Sequence, residues 1–385
     1  MIANDPLYLQ RTRKTSFAEC ALIGVILILA TKFCTLPSVL ADAAGSKAVW
    51  VIVLLLALEY VVLFFATRIA QCGGLPALEI KKGIKIPLLA IFALFFALKL
   101  TAFAREISTY YALSLFENVP VLPITVIHLI ACALLAKKGF SGIGRVTEIF
   151  VWLFVFVFLF VVIFTRSEGD LFNLIALFNP DFFGVGRGFY RGMAWFGDGA
   201  ILAFLDLKED PMLPQTTTPA PQRNKGKARI VLAAFLFTFF LLTIFYVVFL
   251  SAYGNAAKMT DYAFIKLSAF KANTDELGSA DWPVIILWAI LSSLYLALLF
   301  LGGKECLLGI SPAPEGKQKS KTIFIFFLFG VTALTLSTLF LDEEGDYETF
   351  MERAMSIASM IAVAATVGVG IFALCHKGVN HEKQN

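Results

Sequence analysis

Hydrophobic positions in this chain do not alternate, and they do not recur on one helical face. They fill long blocks separated by short clusters of charge, glycine and proline, at roughly 17 to 41, 48 to 70, 84 to 113, 121 to 137, 144 to 165, 188 to 206, 227 to 252, 281 to 302, 321 to 341 and 352 to 375. A helix rises about 1.5 Å per residue and a hydrocarbon core is about 30 Å thick, so each block reads as one membrane-spanning helix. The expected fold is all-α and polytopic, with about ten transmembrane helices.

Two blocks are interrupted. In the first, "ATKFCTLPSVLADAAG" (30 to 45) places Thr31, Lys32, Thr35 and Pro37 inside apolar sequence, and in the sixth, "WFGDG" places Asp198 between Gly197 and Gly199. Pro37 lacks an amide donor and obstructs the carbonyl four residues earlier, while glycine tolerates non-helical dihedrals. Both stretches are predicted to unwind, with Pro37, Gly197 and Gly199 as hinges. Unpaired backbone at membrane depth is tolerated only inside protein or along a polar cavity. Breaks at matching places in two halves of a chain point to a transporter's midplane site. The candidate ligand-binding residues are therefore Thr31, Lys32, Phe33, Cys34 and Thr35 at one break and Trp195, Phe196, Gly197, Asp198 and Gly199 at the other.

The third span, containing "FFALKLTAFAREISTYY", adds to this set. At about 100° per residue Lys99, Phe103, Glu106 and Tyr110 share a stripe and Arg105 points elsewhere. An ionisable residue at the bilayer centre is expensive unless it faces inward and is paired. The expected ion-pair or coupling set is Lys32, Lys99, Glu106 and Asp198, with Lys32 held near either Asp198 or Glu106, and Tyr110 as a further ligand contact. Glu59 and the hydroxyls of Ser292 and Ser293 are weaker candidates. His128 reads as a packing histidine.

An even number of spans puts both termini on one side. Of the 32 Lys and Arg, 21 fall on the side of the termini, eight on the other, and three (Lys32, Lys99 and Arg105) inside spans. That asymmetry predicts cytoplasmic termini. The expected organisation is a segment 1–16, a first transmembrane half with the sixth helix (17–206), a Pro- and Thr-rich cytoplasmic linker (207–229), helices seven to ten (230–375) and a tail (376–385). Outside, residues 253 to 280 are long enough for a short helix or lid, and "DEEGDYE" at 342 to 348 forms an acidic rim.

Composition agrees with the block pattern: 59% of the 385 residues are hydrophobic, 16% are charged, and mean hydropathy is +0.80. A soluble domain has about 25% charged residues and lacks repeated apolar runs of about 20. The net charge of +4 implies no nucleic-acid partner. Six cysteines without C-x-x-C spacing read as small buried hydrophobes. The basic start followed by "ADA" at 41 to 43 imitates a secretory signal, but the polar interruption precedes that point and nine further spans follow. No metal-ligand cluster, P-loop or nucleophile motif is present in the sequence. We therefore expect a non-enzyme with no cofactor and no metal.

Three passages resemble the spore-germination permeases, the B subunits of germinant receptors, within the amino acid, polyamine and organocation transporter superfamily. "LPSVLADAAGSKAVWVIVLL" (36 to 55) is similar to the passage after the family's broken first helix. "LPITVIHLIACALLAKKGFSGIGRVTEIF" (122 to 150) is similar to its fourth span, Gly-rich turn and following Arg145 and Glu148. "DLFNLIALFNPDFFGVGRGFYRGMAWFGDGAILAFL" (170 to 205) is similar to its outer loop and glycine-interrupted sixth span. The resemblance implies a LeuT-type 5+5 inverted repeat with helices 1 and 6 broken. It also implies an amino acid-like germinant at the two breaks, A and C receptor subunits as partners, and a bacterial cell membrane or spore inner membrane. Where the family tends to have a Gly-Thr-Gly-like turn, this chain has Ala30, Thr31 and Lys32, which replaces a glycine by a cation.

The expected function is a permease-like subunit that binds a small germinant. The alternatives are a proton-coupled amino-acid transporter titrating Glu106 or Asp198, and a non-transporting membrane scaffold in which Lys32 and Asp198 form a closed pair.

Overall fold

The computed structural model describes residues 15–114, 119–165, 173, 184–207, 220–269, 281–311, 317–340 and 351–382. Its α-helices are α1 (Phe17–Lys32), α2 (Leu36–Ala44), α3 (Ala48–Gln71), α4 (Lys82–Ser114), α5 (Val121–Ala136), α6 (Gly139–Thr165) and α7 (Val185–Gly192). The second part holds α8 (Ala220–Tyr253), α9 (Ala263–Ala269), α10 (Asp281–Ile310), α11 (Lys317–Phe340) and α12 (Ser356–Glu382). There is no strand among the described residues.

Every predicted block has a helical counterpart, but among the described residues only seven helices are both long and apolar enough to cross a membrane unaided. The other three blocks show why. The first is divided into α1 and α2. The fourth is the 16-residue α5. The sixth is α7 followed by two 3₁₀ segments, Met193–Trp195 and Asp198–Phe204. Two of these three are the predicted breaks.

Local chemistry sets the ends. Ser16 and Glu19 form a reciprocal capping box at the start of α1, and Glu19 also accepts from Ser141 of α6 (2.8 Å). Pro37 stands in the first turn of α2, where its missing amide costs nothing, so it begins a helix and does not kink one. The break is Phe33, Cys34 and Thr35, the three residues between α1 and α2.

The core is built on α10, the most buried of the candidate spans, packed along α4. α6 turns Trp152, Phe156 and Ile163 outward as a lipid-facing surface. Elsewhere Arg191 of α7 pairs with Asp42 of α2 (2.6 Å) and with Glu352. Glu352 lies in a π-helical turn, Met351–Met355, that leads into α12.

Several boundaries differ from expectation. α8 begins at Ala220, inside the stretch read as linker, and α12 continues to Glu382, beyond the end expected at 375. The segment 1–14, residues 208–219 of the expected linker and the acidic rim 342 to 348 lie outside the described residues. Within 253 to 280, the described part forms a 3₁₀ turn, Gly254–Met259, and α9.

Candidate functional site

The two interrupted helices meet in the interior. After Lys32 the chain leaves α1 and restarts at Leu36. On the other side Phe196 is extended and Gly197 takes φ +86°, a left-handed conformation that glycine enters without strain. Lys32 Nζ donates to the Leu27 carbonyl (2.9 Å) and to Asp198 Oδ2 (3.2 Å). Lys99 of α4 brings Nζ to 2.7 Å from Asp198 Oδ1, an ion pair outside hydrogen-bond geometry. Asp198 is thus held between two ammonium groups.

Glu59 of α3 completes the cluster. Its Oε2 accepts from the Gly197 amide (2.7 Å) and its Oε1 from the Gly199 amide (2.8 Å). The carboxylate satisfies two donors that the break releases, in the charge-assisted form that is strongest. Gly199 is required here by close approach, since a Cβ would lie 2.8 Å from Leu63 Cδ2 and 3.1 Å from Glu59 Oε1. It is therefore a point of close contact between the second break and α3.

Lys32, Lys99 and Asp198 are 0% exposed and Glu59 1%. Two ammoniums and two carboxylates balance one another, which is what removal of four charges from water demands. Ring faces add to it: Lys32 Nζ is 4.9 Å from the Phe196 centroid, and Lys99 Nζ is 5.6 Å and 5.4 Å from those of Phe95 and Phe103.

At the α1 break the released carbonyls already have donors. Ala30 accepts from Trp288 Nε1 (3.1 Å) and Lys32 from the Tyr246 hydroxyl (3.2 Å). The carbonyls of Phe33 and Cys34 accept from the amides of Phe264 and Ala263, each at 3.0 Å, so α9 docks directly on the break. The Phe33 ring is caged by Phe154, Phe158, Phe245 and Phe264 at 4.8 to 5.8 Å. These four carbonyls face protein donors. No group of three His, Cys, Asp or Glu positioned for a metal occurs among the described residues.

Glu106 lies apart from the central cluster. Its Oε1 accepts from Thr35 Oγ1 (2.6 Å) and its carbonyl from the Tyr262 hydroxyl (3.3 Å). Ser38 Oγ lies 3.0 Å from Asp261. Tyr110 packs at 4.5 Å from Tyr262 and 5.0 Å from Trp288.

The chain path superposes on those of solved transporters. A point mutant of the Eremococcus coleocola manganese transporter matches with TM-score 0.53 and 14% identity, over 94% of this chain and 78% of that one. The same transporter in complex with an aromatic bis-isothiourea substituted compound gives 0.55 and 14%, over 93% and 78%. A Na+-coupled sialic acid symporter in a substrate-bound outward-open state gives 0.52 and 10%, over 93% and 83%. At these identities the likeness is one of fold, and the fold is the LeuT type. No curated protein matches the sequence. Residues 14–182 match the spore germination protein family. The chain is a permease-like, multi-pass membrane protein.

The span matching the spore germination family contains Lys32, Glu59, Lys99 and Glu106, whereas Asp198, the counterion of Lys32 and Lys99 in the second break, lies beyond it. Of the expected pairing set, Lys32, Lys99 and Asp198 come together and Glu106 does not. Of the two partners expected for Lys32, Asp198 is the one in contact. Thr31 is buried near the break with an unpartnered Oγ1, Thr35 is bonded to Glu106, and Cys34 is buried. Arg105, predicted off the polar stripe, donates to the Thr338 carbonyl of α11. Glu59 was undervalued because a lone acid in an apolar helix carries no spacing signal. Tyr246, Trp288 and Tyr262 gave none at all, since their hydroxyls and indole act on backbone distant in sequence.

Proposed function

We propose that this chain is the permease-like membrane subunit of a spore germinant receptor. It binds a small germinant, an amino acid, between the two breaks and passes the resulting shift to A and C subunits, with both termini cytoplasmic. The observation that carries the reading is the buried bridge from Lys32 and Lys99 to Asp198 across the two breaks. In a LeuT-type fold these breaks are where moving halves meet, so a ligand that alters this bridge changes the relation of the halves. The tethered ammonium of Lys32 also favours a sensor over a carrier, because net flux would require the buried cation to leave and re-enter its pair at every cycle. The match to the spore germination family supports the biological setting, and the 21-to-8 distribution of basic residues supports the orientation.

The test is uptake of a radiolabelled amino-acid pool into proteoliposomes with and without an inward proton gradient, run beside thermal stabilisation of the same protein by the pool. Stabilisation without flux is the expected result. Gradient-driven accumulation would establish a transporter instead, and neither flux nor stabilisation a scaffold.

A further inference from the structure

Buried hydroxyls on the membrane helices of this protein mostly bond back to a carbonyl four residues earlier, as Thr67, Ser108, Thr147, Thr238, Ser292 and Thr366 do, or three earlier, as Ser251 and Thr338 do. Ser356 and Ser359, both 0% exposed, do not, and neither Oγ has any partner. Their carbonyls four residues back belong to Glu352 and Met355, inside the π-turn Met351–Met355. A π-turn places an extra residue in the ring and moves those carbonyls out of register, and such turns recur at functional sites. Neither hydroxyl bonds a carbonyl of the π-turn behind it.

They sit beside the second break. The Ser359 carbonyl is 3.4 Å from where a Cβ on Gly197 would stand, as is Phe95 of α4. Trp195 packs with Ala102, Ala194 and Met355, and its Nε1 is a third buried polar atom without a partner. Phe95 also carries the Lys99 ammonium over its face, so positive charge borders this wedge between the break, α4 and the start of α12.

The indole nitrogen only donates, and the two hydroxyls donate freely once their own carbonyls are out of reach. We infer that Trp195, Ser356 and Ser359 form a subsite for the carboxylate of a small organic ligand, offset from the α1 break toward α12. This rests on the ligand-binding reading above and specifies it. The α1 break releases carbonyls, which are acceptors like the carboxylate itself, so it contributes framing and not the carboxylate contact. Because the π-turn also holds Glu352 on Arg191, a carboxylate drawing Ser356 and Ser359 inward acts on the element that joins α12 to α7.

The test uses the full chain in nanodiscs, with thermal stabilisation by a pool of the twenty L-amino acids and, separately, by the pool of their primary amides. The proteins are wild type and Ser356→Ala/Ser359→Ala. The inference expects stabilisation of wild type by the acids and not by the amides, and a loss of about tenfold or more in apparent affinity in the variant. The empty variant should melt at the wild-type temperature or higher, since it removes two buried groups that have no partner. Undiminished acid binding by the variant overturns the subsite and leaves the ligand-binding reading standing. A lower melting temperature of the empty variant overturns it too, because it reveals hydroxyls with structural partners. No stabilisation of wild type by either pool overturns both readings together.

Discussion

Replacing Lys32 by Met removes a charge while keeping nearly the same length and volume, so the effect is electrostatic and not a cavity. Asp198 keeps Lys99 at 2.7 Å, but Lys99 must then balance both Asp198 and Glu59 in a site with no exposure. Removing one partner of a buried pair costs about 3–5 kcal/mol, and the surviving Lys99 contact puts Lys32→Met at about 3 kcal/mol. Asp198→Asn leaves two ammoniums against Glu59 and falls at the upper end of that range. The double variant restores balance, leaving Lys99 and Glu59 as the two opposite charges of the buried cluster. Its cost should be below the sum of the singles by about 2 kcal/mol, within the span seen for residues sharing one network. The assay is a thermal melt of the three variants and wild type in the same nanodisc. At about 2 °C per kcal/mol for a large chain, Lys32→Met should lower Tm by about 6 °C. Costs that add within about 0.5 kcal/mol would show that the four charges do not act as a unit. A Lys32→Met protein with unchanged melting and unchanged ligand response would refute the bridging role outright.

Two further outcomes follow from the second break. Glu59→Gln keeps the shape of the side chain but provides one acceptor and an NH₂ for two backbone amides, so one of the Gly197 and Gly199 donors is left unsatisfied and the two buried ammoniums face Asp198 alone; melts should show a loss of about 3–5 kcal/mol. Gly197→Ala should lose about 1–2 kcal/mol from the left-handed φ alone, because a Cβ there meets only ordinary contacts at 3.4 Å. Gly199→Ala should lose more, since its Cβ would press on Leu63 and on Glu59 itself. Equal losses for the two alanines would contradict the separate roles assigned to these glycines.

Each apolar block declares itself in the sequence because lipid rewards uninterrupted hydrophobic length, and that property is local. So is a break: Pro37 and the glycines around Asp198 stand out against their neighbours whatever the tertiary fold. The same logic made Lys32, Lys99 and Asp198 visible, since an ionisable residue inside a span is rare and needs a partner. What the sequence left open was which groups meet. Lys32 had two candidate partners, and only the packing of α1 against the second break selects Asp198 over Glu106. Pro37 was legible as an interruption but not as the first turn of a new helix, because that depends on where α1 stops. Glu59 acquires its role from two amides about 140 positions away, and Ser356 and Ser359 follow a π-turn whose carbonyls they do not bond. Burial of a single helix follows from its own composition, whereas hydrogen-bond partners across 130 to 260 residues are chosen by the packed arrangement of all the helices.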